Sequence, residues 1–444
     1  MRNSAQHRNW IRNLRFRPAT AALAISIVFA LTVAVTQSAQ AQTFQVLHNF
    51  TGTLDGAYPW FGLAIDAAGG HLYGTTRHGG NPGCSDLSGN GCGTVFRLTI
   101  KNSKWIFTTL YDFQGGNDGG QPMAALVFGP DGSPYGTTLV GGGNGCYTGN
   151  GCGTVFKLTP PATFCRTVSC PWTETVLHRF TDVPDGGQPA SNPIFDRAGN
   201  LYGTTMQGGT AGVGAVYSLS PTNGGWAETI LYSFVGPNDG QSPWGNLLFD
   251  NAGNLYGTTA AGGLNLNNCG YGCGGVFELS PSPSGWIETT LHLFDGDDGY
   301  FPSAGLVADS AGNLYGDTNS GGGQYGSGAG TVFALTPSGG SWAFSSIHSF
   351  VGYIQQGPWG NLATDQAGNL YGTARDGGLY GAGTVFKLTP SAGGWVYSSL
   401  HDFTGYGDGG GPYSNIVFDA MGNLYGVAVS GGTDGDGVVW EITP

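Results

Sequence analysis

Charged side chains are scarce: Asp, Glu, Lys and Arg make up 10% of the 444 residues, with Lys plus Arg numbering 15 against 28 Asp plus Glu. Five of the basic residues, Arg2, Arg8, Arg12, Arg15 and Arg17, crowd the start of the chain with no acid among them. Beyond them ten basic residues face 28 acidic ones, a formal charge of −18. That balance excludes nucleic acid as an expected partner, because phosphates require a basic face. Long apolar runs are also missing. The one candidate, residues 21–35, is shorter than the roughly 20 residues a spanning helix needs. It follows the basic stretch and precedes Ala39, Gln40 and Ala41, so residues 1–41 read as a signal peptide and the mature chain is expected to hold no transmembrane segment. No cysteine stands directly after the cleavage point, so a lipid anchor is not expected there. Gly-x-Ser-x-Gly, P-loop and His-Glu-x-x-His motifs are absent too, and nothing after residue 41 carries helical periodicity.

What the chain does have is glycine, 83 residues, with 23 proline. Such a content means disorder when aperiodic, but here it is periodic. The segment Asn-Leu-Tyr-Gly-Thr-Thr, intact or degraded, puts a tyrosine at Tyr73, Tyr135, Tyr202, Tyr256, Tyr315, Tyr371 and Tyr425, at spacings of 62, 67, 54, 59, 56 and 54. Each unit contains four short stretches rich in β-branched and aromatic residues. The sixth shows them cleanly: Pro358-Trp359-Gly360-Asn361-Leu362-Ala363-Thr364-Asp365, then Asn369-Leu370-Tyr371-Gly372-Thr373-Ala374, then Gly383-Thr384-Val385-Phe386-Lys387-Leu388, then Trp395 to Phe403. Seven such units predict an all-β, seven-bladed β-propeller with four antiparallel strands per blade, one domain over residues 42–444. Thr43-Phe44-Gln45-Val46-Leu47-His48-Asn49-Phe50 copies the fourth strand and Val438-Val439-Trp440-Glu441-Ile442-Thr443 copies the third. The N-terminal strand is therefore expected to join the last blade and close the ring, leaving no open edge.

The recurring Asp-x-x-Gly-Asn-Leu-Tyr-Gly-Thr-Thr, Gly-Gly, Gly-Thr-Val-Phe-x-Leu-Thr-Pro, Gly-Trp and Leu-His/Tyr-x-Phe resembles the GloVer tandem repeat of exported bacterial proteins grouped as choice-of-anchor proteins. The resemblance covers residues 43–444. It implies a propeller-like extracellular module and transfers no catalytic residue. Members carry C-terminal sorting anchors, and no such anchor is read at Thr443-Pro444. The first two strands also resemble NHL-type propeller repeats, where the first strand lines the channel, an analogy of fold alone.

Eight cysteines form four close pairs, Cys84 with Cys92, Cys146 with Cys152, Cys165 with Cys170, and Cys269 with Cys273. In an exported chain they are expected to be local disulfides stapling lengthened loops. The alternative, a metal site, lacks His and acidic partners at ligand spacing.

Two acidic sets repeat. Asp66, Asp196, Asp250, Asp309, Asp365 and Asp419 end the first strand and read as turn caps. Asp55, Asp118, Asp185, Asp239, Asp298 and Asp408 precede the first strand in Asp-Gly-x-x-Pro, with Gln356 near that place in blade six; they read as turns or as a carboxylate ring able to bind Ca²⁺. Just beyond come Trp60, Met123, Ala190, Trp244, Ser303, Trp359 and Tyr413, which break the symmetry, with Tyr58, Tyr300 and Phe301 close by. Aromatic faces at a channel mouth suit sugar rings or apolar groups, and inter-blade packing is the plainer reading. His48, His178, His292, His348 and His401 alternate with Tyr111 and Tyr232 in the outer strand and read as structural. His71, His78, Asp317, Arg375 and Asp376 are single deviations.

The leading expectation is a monomeric, secreted or surface-located binding module with a glycan or protein ligand on the loop face, with Trp60, Trp244, Trp359, Tyr413 and Tyr300 as its contact residues and no cofactor unless Ca²⁺. A propeller enzyme of lyase, lactonase or glycosidase type is the alternative, and a purely structural surface protein the third.

Overall fold

The structure, a computed structural model, describes residues 42–444 apart from 68, 85–89, 144, 147–149, 162–171, 264–268 and 353–356. The expected signal peptide, Cys165, Cys170 and Gln356 lie outside the described residues.

Seven four-stranded antiparallel sheets occupy Thr43–Thr443, and six of them run in simple chain order from inner to outer strand. The seventh is completed by Thr43–Asn49, which pairs antiparallel with Val438–Thr443. This is the expected seven-bladed propeller with its expected closure. The seam copies the other blades in detail. Every third-to-outer strand pair skips one outer-strand residue, as between Val95 and Phe96 in blade one, and the seam has the same irregularity between Val46 and His48.

The repeated residues divide the labour of building a blade. Asp365 accepts hydrogen bonds from the N–H of Ala367 and Asn369 at 2.9 and 3.0 Å, from Asn369 Nδ2 at 2.6 Å and from Tyr371 Oη at 3.0 Å. Asp196, Asp250, Asp309 and Asp419 do the same in their blades. The Asp…Asn-x-Tyr pattern is thus one turn network, which satisfies backbone donors that no ladder reaches. Blade two replaces it with Asp131 bound to Tyr135 and Lys157.

The glycine after each tyrosine makes room. A Cβ on Gly257 would lie 2.5 Å from Phe277 Cζ, and one on Gly426 2.2 Å from Trp440 Cζ2. The third-strand aromatic passes directly over this glycine. It then meets the outer-strand Phe of the preceding blade edge-on, as in Phe50 with Phe96 at 5.3 Å and Phe234 with Phe277 at 5.1 Å. Seven such pairs run round the ring, so the hydrophobic core is seven inter-blade clusters rather than one centre.

The innermost strands are shorter than the sequence suggests, two or three residues each, as in Val127–Phe128 and Leu63–Ile65. In blade five Tyr300 bridges Ser320 and Val307 pairs with Tyr315, so residues 301–306 oppose only 316–319. The second residue of the longer segment is Pro302, which has no N–H for a ladder, and the segment bows away from the sheet toward the channel. Asparagines bind these bowed segments together: Asn192 Oδ1 accepts the Ala125 N–H and Asn246 Oδ1 the Asn192 N–H, both at 2.7 Å.

Candidate functional site

The bowed segments carry the symmetry-breaking residues to the loop-face mouth of the channel. Trp60 and Tyr413 lie with ring centroids 4.6 Å apart, Tyr413 and Trp359 at 5.4 Å, and Trp359 and Trp244 at 6.0 Å. Phe301 joins them, 5.7 Å from Trp359 and 6.1 Å from Trp244. Five rings from blades one, four, five, six and seven therefore form one continuous aromatic cluster, in which Tyr413 is buried and the other four are half-buried. Met123, Ala190 and Ser303 occupy the same repeat position and are buried. The indole N–H groups of Trp60, Trp244 and Trp359 are buried and meet no acceptor.

Each bowed segment is entered through a residue before proline, and Tyr58, Gln121, Gln188, Ser242 and Phe301 all hold φ between 50° and 58° there. Non-glycine residues are rare in this region and cost of order 1 kcal/mol or more each. Blade seven places Gly411 at φ 59° instead. Five blades thus keep a side chain at the mouth where glycine would relax the backbone.

Beside Trp244 the surface deepens into a cavity of about 460 Å³, lined by Trp244, Tyr271, Tyr300 and Phe301 with the amides of Gln207 and Gln241. The Cys269–Cys273 disulfide closes a Cys-Gly-Tyr-Gly-Cys loop that presents Tyr271, 85% exposed, at the rim. Tyr271 was not among the expected site residues, although a tyrosine between two glycines inside a disulfide is a readable signal. Cys84–Cys92 and Cys146–Cys152 form the other two described disulfides, and no described cysteine is free.

The second acidic set has partners of its own. Asp55, Asp185, Asp298 and Asp408 bond His48, His178, His292 and His401 at 2.7–3.3 Å, and Asp118 and Asp239 bond Tyr111 and Tyr232 at 2.9 Å. Most also accept the N–H four residues earlier, as at Thr181 and Val235. The alternation of His and Tyr is explained: either ring can donate to the aspartate and lock the loop. Among the described residues no three of His, Cys, Asp or Glu gather closely enough to hold a metal.

Across the blade interface each of these rings meets one of two residue types. Phe107 stacks on His48 at 3.9 Å, and Phe44 on His401 at 3.7 Å. Blades two, three and four place Glu174, Glu228 and Glu288 there instead. Burial first, then Asp118, pushes the Glu174 carboxyl up to about 7. Burial pushes Glu228 up to about 6, with His178 pulling it down and Asp185 up. A raised carboxyl contributes stability below its unfolded value of 4.5, and loses it as pH rises through 6 to 7. Burial lowers His48 and His401 and works in the opposite sense, so the contribution is isolated by substitution. Glu174→Gln with Glu228→Gln is expected to raise Tm relative to the parent at pH 7.5 and to give no gain at pH 4.5. Scanning calorimetry at the two values checks this.

Among the single deviations, Asp317 is buried in blade five with neither oxygen partnered, and burial drives its carboxyl far above the usual range. In the equivalent place Thr75, Thr258 and Thr373 donate to a carbonyl of the next blade; a neutral carboxyl retains an O–H and can do likewise. His78 packs edge-on to Tyr58 at 5.7 Å, while His71 lies away from the mouth at the start of its strand.

The sheets and their mouth define the class: a closed, seven-bladed propeller of tandem repeats with an asymmetric aromatic surface on its loop face. The chain belongs to the Gloeobacter/Verrucomicrobia repeat family, whose model matches residues 27–171, 147–350 and 320–444. No curated protein matches the sequence. Among solved structures it is similar to a protein provisionally named as a 6-phosphogluconolactonase from Bacteroides uniformis, at 16% identity and TM-score 0.47 over 78% of this chain and 87% of that one. It is also similar to one provisionally named as a gluconolactonase, at 12% identity and TM-score 0.38 over 91% and 92%. A third, from Thermus thermophilus and provisionally named as a glucose dehydrogenase, has 18% identity and TM-score 0.43 over 72% and 96%.

Proposed function

We propose that this protein is an exported, non-enzymatic binding module that holds a glycan at the loop-face mouth of its channel. The carrying observation is the cavity beside Trp244, whose lining joins four aromatic rings to two side-chain amides and includes no charged side chain. Aromatic faces take the C–H faces of sugar rings, while side-chain amides meet hydroxyls. Catalysis calls for titratable groups converging on a pocket. The four His–Asp pairs instead recur at the ends of outer strands, each partly buried and each serving its own loop. Export is supported by the disulfides, which persist in oxidising compartments, and among the described residues no helix is long and apolar enough to cross a membrane.

On a glycan array the protein is expected to retain a defined set of sugars, and Trp244→Ala or Tyr300→Ala to weaken that binding about tenfold or more. Unchanged binding in both variants would remove the cavity from consideration.

A further inference from the structure

The mouth has a second half, on the opposite side of the aromatic surface from the cavity. Blade seven contributes Tyr413, and its two neighbours contribute the same pair of residue types at the same two repeat positions: Trp60 with Arg77 from blade one, Trp359 with Arg375 from blade six. In no other blade do a tryptophan and an arginine occupy both positions, since Trp244 has Ala260 and Met123, Ala190 and Ser303 have Leu139, Met206 and Asn319. The Arg77 guanidinium lies 5.1 Å from the Trp60 ring centre and that of Arg375 5.2 Å from Tyr413. With Trp60 and Tyr413 at 4.6 Å, the order is guanidinium, indole, phenol, guanidinium.

The charge is out of keeping with the chain. Only ten basic residues follow residue 41, against 28 acidic ones, and two of them bracket this one pair of rings. Cation–π attraction holds each guanidinium against its ring. Each also has a polar partner: Gln121 Oε1 accepts from Arg77 Nε and Nη2 at 3.3 Å, and the Asp376 carboxylate pairs with Arg375 Nε at 3.3 Å. Both heads are thereby fixed at the mouth rather than left to sweep through solvent. Stacked, oriented arginines suit a planar carboxylate, which they grip in fork geometry.

We infer that the blade-seven side of the mouth is a subsite for the carboxylates of an acidic oligosaccharide, with Arg77 and Arg375 as its two cationic arms, one at each end of the Trp60–Tyr413 stack that holds them. This rests on the glycan reading of the mouth and narrows it: the ligand is an acidic oligosaccharide, with its charged residues at the two arginines and neutral residues reaching the cavity beside Trp244.

The test is calorimetric titration of the chain from residue 42 with trigalacturonic acid and with its methyl ester. The acid is expected to bind at least tenfold more tightly, with a preference that shrinks as sodium chloride is raised from 50 to 500 mM. Arg77→Gln with Arg375→Gln should abolish the preference, and Arg77→Lys with Arg375→Lys should keep part of it, since charge remains and the fork is lost. Equal binding of acid and ester by the parent protein, which needs no variant to fold, overturns the subsite. So does a preference that persists in the glutamine variant. Tyr300→Ala separates the two readings: loss of neutral-sugar binding with the acid preference intact confirms both halves, whereas acid preference without any neutral-sugar binding in the parent sinks the cavity alone.

Discussion

Deleting residues 43–50 is expected to abolish the cooperative native state rather than to trim it. The segment supplies the whole outer strand of the last blade, and with it Phe44, Val46, Leu47 and the fully buried Phe50. At about 1.5–3 kcal/mol for a fully buried side chain, and roughly half that for the three half-buried ones, the loss is roughly 4–8 kcal/mol, comparable with the 5–15 kcal/mol that holds a typical domain together. It also uncovers the edge of Val438–Thr443, which invites pairing with other chains. Circular dichroism melts and size exclusion should show a weak, broad transition or aggregates. A truncated chain melting like the parent would refute closure at this seam. Phe50→Ala is the milder probe, expected to cost about 3–5 kcal/mol, because Phe50 meets both Phe96 and Phe107 across the join.

Gly257→Ala should be costly although the backbone there would accept alanine. Gly257 is not among the glycines with positive φ, so conformational freedom is not its purpose. A Cβ would fall 2.5 Å from Phe277 Cζ and 3.1 Å from Leu247 Cδ2. Phe277 is buried and cannot retreat, being held edge-on by Phe234. Overpacking of this kind costs about 1–3 kcal/mol. Combining Gly257→Ala with Phe277→Leu should recover part of the loss, since the shorter side chain vacates the contact. If urea melts show no recovery, the ring above the glycine is not the reason for it.

The architecture was legible because the residues that build it recur: seven tyrosines gave the blade count, the strand-like ends gave the closure, and near neighbours in sequence gave the described disulfides. Most of the turn aspartates were readable for the same reason, as their donors lie two, four and six residues on. The mouth was legible only in part. Variation among Trp60, Trp244, Trp359 and Tyr413 marked the position, but not that rings from blades one, six and seven touch. Those contacts depend on how far the segments bow, which proline and the missing ladder bonds decide only once the sheets exist. Arg77 escaped notice altogether, since one arginine in a varied column gains meaning only beside Trp60. The aspartate set before the inner strand was seen without its partners, even though His or Tyr stands six or seven residues upstream in each case.

The pairing of Thr43 with Thr443 spans 400 residues. A chain made from its N-terminus produces the first half of this pair early and the second half last. Throughout synthesis the opening strand has no partner, and the contacts that finish the ring are among the most distant in sequence, the kind that form slowly. A ring built this way cannot close until Val438–Thr443 has been made, so its last blade is completed by the first strand of the chain only after the other six blades exist.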